Sequence, residues 1–332
     1  MTYIASKERY EKMKYNPCGN SGLKLPAISL GMWHNFGKTS CFKTMEKMCF
    51  AAFDCGITHF DLANNYGYPD IGSAEENTGR ILKRHFKAYR NELVISTKAG
   101  YRMWEGPYGD FGSRKYLLSS LDDSLKRLQL DYVDIFYHHR PDPKTPLEET
   151  MGALSQAVKS GKALYVGLSN YDGETMKKAA AILESLHCPF VINQNIYSIL
   201  DRKAKNNGIL DAAKEQKKGV IIFSPLAQGL LSDKYLHGIP KNSRVKTSGL
   251  FLQESEITPE LLAKIEKLNN IAKERGETLA QMALAWVLNH EGVTSVLMGA
   301  SSPEQIKENA LVAGCSPFSE EELAAIDQIV TA

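Results

Sequence analysis

Apolar residues along this chain gather in short continuous runs, separated by longer stretches with helical spacing. The runs are 27-AISLGMW, 58-THFDLA, 93-LVISTKAG, 132-YVDIFYHH, 163-ALYVGLSN, 190-FVINQN, 219-GVIIFSPL and 293-VTSVLMGAS. Continuous rather than alternating apolarity is the mark of parallel strands covered by helices. Between the runs, 116-YLLSSLDDSLKRL puts Leu117, Leu118, Leu121, Leu125 and Leu128 on one helical face. Ser73…Glu76, Thr145…Glu148 and Ser319…Glu322 have capping-box spacing, and Pro146 and Pro303 stand where a first helical residue belongs. Gly161 closes the helix that begins near Pro146.

Eight β-then-α units without a break in composition predict an α/β fold, a closed (β/α)8 TIM barrel rather than an open sheet. Residues 1–332 read as one domain, with 1–14 as an amino-terminal extension. Residues 12–26, with Asn20-Ser21-Gly22 as the turn, predict a hairpin closing the amino-terminal end of the barrel. Residues 228–257 form a long connection after the seventh strand, of a length that usually serves function or motion.

Composition narrows the class without choosing an activity. With 43% hydrophobic and 23% charged residues, the 332-residue chain suits an ordinary globular protein. The net charge of +2, without blocks of one sign, argues against nucleic acid or a membrane surface as partner. The opening MTYIASKERYEKMKYNP lacks the apolar core of a secretion signal, and no run approaches membrane-spanning length. Six cysteines without a C-x-x-C pair read as free thiols of a reducing compartment, so the expected location is the cytoplasm.

The chemistry of such a barrel sits at the carboxyl ends of its strands. There the runs finish in Asp61, Lys98, His138-His139, Ser169-Asn170, Gln194 and Ser224. Singly, each has an ordinary structural explanation: a strand-end Asp caps loop amides, and a buried Lys is half of an ion pair. Together, a Lys98 ammonium held by Asp61 in one low-dielectric mouth is expected to lower the pKa of a nearby Tyr66 phenol toward physiological pH. A phenol tuned in that way can protonate a developing alkoxide.

FDLANNYG, ISTKAG and YVDIFYHHRPD resemble the catalytic segments of the aldo-keto reductases, and GLSNY, INQNIYSIL, FSPLAQGLL and VLMGASSPEQIKEN resemble their cofactor-binding segments. The resemblance runs from about residue 14 to 330. In 33-WHNFG, 61-DLANNYG, 98-KAGYRMWEGPYG, 113-SRKYLL and 161-GKALYVG it looks closest to the branch shared by bacterial L-glyceraldehyde 3-phosphate reductases and potassium-channel β subunits. It implies Asp61, Tyr66, Lys98 and His139 as the catalytic four, with His139 orienting the carbonyl oxygen and Tyr66 supplying the proton.

No G-x-G-x-x-G follows any strand, so a Rossmann-type site is not expected. The resemblance instead implies NADP(H), with the nicotinamide carboxamide on Ser169, Asn170 and Gln194 and the ring against Phe223. Ser224, Pro225, Leu226, Gln228 and Gly229 would line the pyrophosphate path, with Lys234 near it, and Trp33, Asp61 and Gly299 complete the implied set. Ser302-Pro303 opens a helix beside the seventh and eighth strands, a natural anion site. Ser301 and Gln305 would face the adenosine phosphate, Glu308 and Asn309 the adenine, and Arg244 the 2′-phosphate that distinguishes NADP.

The third βα loop, 101-YRMWEGPYGDFGSRKY, has the aromatic and glycine content of a substrate wall. Trp33, Tyr66, Tyr101, Trp104 and His139 are the candidate pocket, with Trp33 and Trp104 equally open to a packing role. Arg102, Lys115 and Arg140 are candidates for a phosphate or carboxylate on the substrate. The resemblance implies reduction of small aldehydes such as glyceraldehyde 3-phosphate and methylglyoxal by a homo-oligomer, a tetramer or larger; no metal is expected. Two alternatives stand beside it. One is a cofactor-sensing subunit of the channel type, although those subunits carry an asparagine at the His139 position. The other is an aldolase with Lys98 as Schiff base, which a neighbouring carboxylate opposes by keeping the ammonium charged.

Overall fold

A computed structural model of the chain describes residues 3–236, 238–239, 245 and 252–331. Two short strands, β1 (Tyr15–Pro17) and β2 (Lys24–Pro26), pair antiparallel. Eight more follow: β3 (Ile28–Gly31), β4 (His59–Asp61), β5 (Val94–Ala99), β6 (Val133–His138), β7 (Ala163–Ser169), β8 (Phe190–Ile196), β9 (Gly219–Phe223) and β10 (Val293–Met298). They pair in parallel and in sequence order, and β10 joins β9 to β3 to close the barrel. The fold is the expected (β/α)8 barrel with an amino-terminal hairpin.

The apolar runs become strands because both faces are covered. Outward residues pack under the surrounding helices, while Ile135, Tyr137, Ile192, Ile221 and Leu297 fill the lower interior with Cys18 and Leu25 of the hairpin. The hairpin is sewn on by Cys18 Sγ to the Val191 carbonyl, Asn20 N to the Lys217 carbonyl and Asn16 Nδ2 to the Thr294 carbonyl. It therefore seals the end of the barrel opposite the strand-end polar residues. Tyr137 lies so close to β7 that a Cβ on Gly167 would come within 2.3 Å of its Cε1. Gly167→Ala should consequently cost about 1–3 kcal/mol by overpacking a ring with nowhere to go. An unchanged unfolding midpoint in urea would contradict that tight fit.

The expected helices form, with corrections at their starts. Ser319 and Glu322 exchange the reciprocal bonds of a capping box, and Pro303 is the first residue of its helix behind the cap Ser302. Ser73 does not cap: Gly72 precedes the helix at φ +89°, and the Ser73 hydroxyl donates to the Gly67 carbonyl. Thr145 does not cap either, because Pro146 occupies the cap position and Asp142 takes the Thr145 amide. Gly161, at φ +72°, follows the end of that helix as expected. In the helix Arg114–Leu128, four of the five leucines are buried and Leu118 is only partly so.

The amino-terminal extension packs on the barrel wall. Tyr3 stacks on Phe50 at 4.1 Å and donates to Asp54, and Arg9 pairs with Glu92. Of the long connection after β9, the described part holds turns at Ala227–Gly229, Asp233–Tyr235 and Glu254–Glu256. Arg244 lies outside the described residues.

Candidate active site

The carboxyl ends of β4 and β5 stand side by side, in the register Asp61 opposite Ser96. That pairing sets Lys98, two residues further along β5, beside the Asp61 carboxylate. Lys98 is wholly buried, and its ammonium donates to Asp61 Oδ2 at 2.5 Å, to the Leu62 carbonyl at 2.6 Å and to the Tyr66 hydroxyl at 3.2 Å. Three acceptors use all three ammonium hydrogens. Since the Tyr66 oxygen accepts from Lys98, its own hydrogen is left to point elsewhere. Asp61 is held in turn by Ser96, whose hydroxyl donates to Oδ1 at 2.7 Å, and by Gln194 Nε2 at 3.1 Å.

His138 and His139 face opposite sides, as residues adjacent on a strand must. His138 contacts the Tyr171 hydroxyl at 2.7 Å behind the sheet. The His139 ring stands edge-on to Tyr101 at 4.7 Å and to Tyr66 at 5.9 Å, with Trp33 a further 6.3 Å from Tyr66. The structure thus gathers Asp61, Lys98, Tyr66 and His139 at one mouth, under Trp33 and Tyr101. Trp104 has Tyr116 as its ring neighbour at 5.3 Å, and Tyr116 donates to the Tyr101 carbonyl. Both contacts brace the wall of this mouth.

Burial overturns one expectation. The Tyr66 phenol is pushed well above its ordinary value by desolvation, with Asp61 and Tyr101 adding to the effect, rather than drawn down by Lys98. Desolvation also lowers Lys98, against the pull of Asp61 and Glu75, and holds His139 well below the usual imidazole range with help from Lys98, His138 and Arg140. At neutral pH Tyr66 therefore keeps its proton, and His139 is a neutral ring with one N–H.

Several groups that steady the strands beneath this mouth carry no strand-end signature. Ser96 lies mid-strand, and the wholly buried Glu75 accepts from Thr97 at 2.5 Å and pairs with Arg127 at 2.8 Å. The acid run 73-SAEEN offered a trace of Glu75, but its partner lies 52 residues on. Of the candidate anion binders, Arg140 is occupied by Asp110 at 2.7 Å and the Gly100 carbonyl, between the rings of Tyr101 and Phe111. Arg102 pairs with Glu105, and Lys115 lies over the Tyr108 ring at 5.6 Å.

The remaining candidates line the same rim. Asn170, at φ +62°, donates to the His139 carbonyl and to Ser169 Oγ, and Ser169 is opposite Gln194 in register. Phe223 ends β9, half-buried, and Leu226 packs on the core. Around Pro225 the backbone turns sharply: Ser224, Ala227, Gln228 and Gly229 have φ of +53°, +46°, +60° and +96°. Left-handed residues so closely spaced make a concave run of amides of the kind that holds anions. Gln228 Nε2 donates to Ser224, and Lys234 is exposed on the next turn. Gly299 and Ser301 are exposed beyond β10, where Gln305 accepts from both the amide and hydroxyl of Ser301. Glu308 is exposed, and Asn309 is buried two turns into that helix. Amide, hydroxyl and concave-backbone donors along one rim fit a dinucleotide with a carboxamide at one end and phosphates beyond.

Residues 27–331 match the aldo/keto reductase family. An L-glyceraldehyde 3-phosphate reductase of Escherichia coli O157:H7 is 54% identical over 99% of this chain and 95% of its own length. The reductase of that name from strain K12 is 53% identical over the same shares. A Schizosaccharomyces pombe protein named for the voltage-gated potassium channel β subunits is 36% identical over 94% of this chain and 92% of its own.

The chain belongs to the aldo/keto reductase family. It is accordingly an oxidoreductase, and the recognition made from the strand-end motifs holds over the whole barrel. Among the described residues, no helix is long and apolar enough to cross a membrane.

Proposed function

We propose that this reductase uses NADPH to convert small aldehydes to alcohols, with Asp61, Lys98, Tyr66 and His139 as its catalytic residues. The observation that carries this reading is the Lys98 ammonium, which spends its hydrogens on Asp61, the Leu62 carbonyl and the Tyr66 hydroxyl. NADPH, when bound, supplies the hydride. Tyr66 holds the proton for the developing alkoxide, and Lys98 stabilises the phenolate left behind. His139, neutral and with an N–H to give, orients the carbonyl oxygen. Each such donor aimed at developing charge contributes on the order of 10²-fold.

Ser169, Asn170 and Gln194 are proposed to hold the carboxamide, Phe223 to flank the ring, and the turn from Ser224 to Gly229 with Lys234 to take the pyrophosphate. Trp33 and Gly299 border that path. Ser301, Gln305, Glu308 and Asn309 would receive the adenosine end, and Arg244 the 2′-phosphate. Trp33, Tyr66, Tyr101, Trp104 and His139 are the proposed carbonyl pocket. We further propose a cytoplasmic homo-oligomer, a tetramer or larger, which light scattering on the purified protein checks.

Incubation with NADPH and either L-glyceraldehyde 3-phosphate or methylglyoxal should consume the dihydronicotinamide absorbance. NADPH should outperform NADH, and Arg244→Ala should raise the KM for NADPH about tenfold, since a bidentate guanidinium–phosphate contact is worth roughly 1.5–3 kcal/mol. Equal KM values for both cofactors would remove Arg244 from its role. The channel-subunit relative supports a second reading, a cofactor-sensing partner protein. Tight NADPH binding with no turnover on an aldehyde panel would favour it.

A further inference from the structure

Asp61 is the upper end of a polar chain buried in the barrel interior. Its Oδ1 accepts from the Ser96 hydroxyl at 2.7 Å, Ser96 Oγ lies 2.9 Å from His59 Nε2, and His59 Nδ1 lies 2.9 Å from Ser29 Oγ. Ser29 Oγ is 2.6 Å from Ser295 Oγ, which is 2.6 Å from the Pro26 carbonyl. His59, Ser96, Ser29 and Ser295 are each 0% exposed, so no solvent hydrogen completes the chain.

The hydrogens do not match the contacts. Each serine supplies one hydroxyl hydrogen and a neutral imidazole one N–H. That makes four hydrogens for the five contacts from Asp61 to the Pro26 carbonyl. An imidazolium would supply the fifth, but burial drives His59 down to about 4, with Lys98 opposing and Asp61 favouring its charge. These two are the charged groups facing His59; Ser29 from β3 and Ser295 from β10 bring none. The neutral tautomer then decides where the shortage falls. With hydrogen on Nδ1, the Nε2 lone pair confronts a Ser96 oxygen whose only hydrogen is on the carboxylate. With hydrogen on Nε2, His59 donates to Ser96 and Ser96 to Asp61, Ser295 keeps its bond to the Pro26 carbonyl, and the shortage falls among the neutral groups from His59 Nδ1 to Ser295. Alignment toward an anion in a low dielectric is the cooperative arrangement.

We propose that His59 is a positioning residue: as the Nε2–H tautomer it leaves Ser96 free to donate to Asp61, which keeps the other carboxylate oxygen on Lys98. In its turnover arm this inference rests on the proposed roles of Asp61 and Lys98; its tautomer arm does not.

In the full chain labelled with ¹⁵N-histidine, the nitrogen shifts of His59, assigned by their loss in His59→Gln, should report a protonated Nε2 and a bare Nδ1 at neutral pH. An Nδ1–H or imidazolium signature would overturn the proposal. For turnover, Ser96→Ala and His59→Leu should each lower kcat on the order of tenfold, the scale at which outer partners of a site are felt. KM for NADPH should stay within twofold, and the alkaline limb of kcat should move to lower pH as Asp61 loosens its hold on the Lys98 ammonium. His59→Gln, which restores a donor toward Ser96, should recover most of the loss. The double variant should be no slower than Ser96→Ala alone; multiplicative losses would show that His59 does not act through Ser96. Should His59→Leu fail to fold, Ser96→Ala and His59→Gln still decide the question. Full turnover of Tyr66→Phe would remove the proposed proton donor yet leave the nitrogen shifts to judge His59.

Discussion

Replacing Tyr66 by phenylalanine should lower kcat by about 10² to 10⁴-fold, the range spanned by positioned general acids, while NADPH binding followed by fluorescence stays within a factor of two. The substitution removes one hydroxyl and leaves the ring between Trp33 and His139. What is lost is the hydrogen that Lys98 cannot claim, because the ammonium donates to the Tyr66 oxygen rather than accepting from it. Burial holds this phenol well above its ordinary value, so it keeps its proton until an alkoxide develops beside it. The reverse oxidation needs the phenolate and should therefore gain with rising pH. A Tyr66→Phe protein of normal kcat would end the assignment.

The second large effect is on stability. His59 and His138 are each pushed down to about 4, first of all by burial, and His139 lies well below its ordinary value for the same reason. Between the ordinary value near 6.5 and those folded values, the unfolded chain binds more protons than the folded one. Stability must then fall as pH falls through this window, by up to about 1.4 kcal/mol per pH unit for each imidazole. From pH 6.5 to 5 the three together should cost on the order of 4–6 kcal/mol, a large share of the 5–15 kcal/mol that holds an ordinary domain together. Asp134, raised by burial despite Arg90, works in the opposite direction, but it is one group against three. Urea unfolding at pH 7 and pH 5 at fixed ionic strength should show the midpoint dropping steeply. Equal midpoints would mean that these imidazoles titrate normally.

The barrel was legible because parallel strands under helices need nothing but continuous apolarity, and six of the eight runs end where a polar residue reaches the rim. Strand order brought Asp61, Lys98 and the His138-His139 pair to one rim, and the family resemblance singled out Tyr66 and His139. Depth was not legible. A sequence places an ammonium near a phenol but cannot weigh the water removed from both, so the predicted direction for Tyr66 was reversed by desolvation. The caps at Ser73 and Thr145 failed for a related reason. Their spacing was right, but Gly67 and Asp142 offered closer partners that only the folded loop reveals. Arg140 stayed among the anion-binding candidates until the loop delivered Asp110 to it.

The closing strand carries a consequence for how the chain is made. β3 finds its second neighbour only in β10, and Ser29 meets Ser295 across 266 residues. A nascent chain on the ribosome keeps that edge of β3 unpaired until Val293–Met298 has emerged, and such long-range pairing is slow and prone to aggregation. Fragments that stop before residue 293 should demand chaperone protection in the cell, whereas chains that include β10 should fold without it.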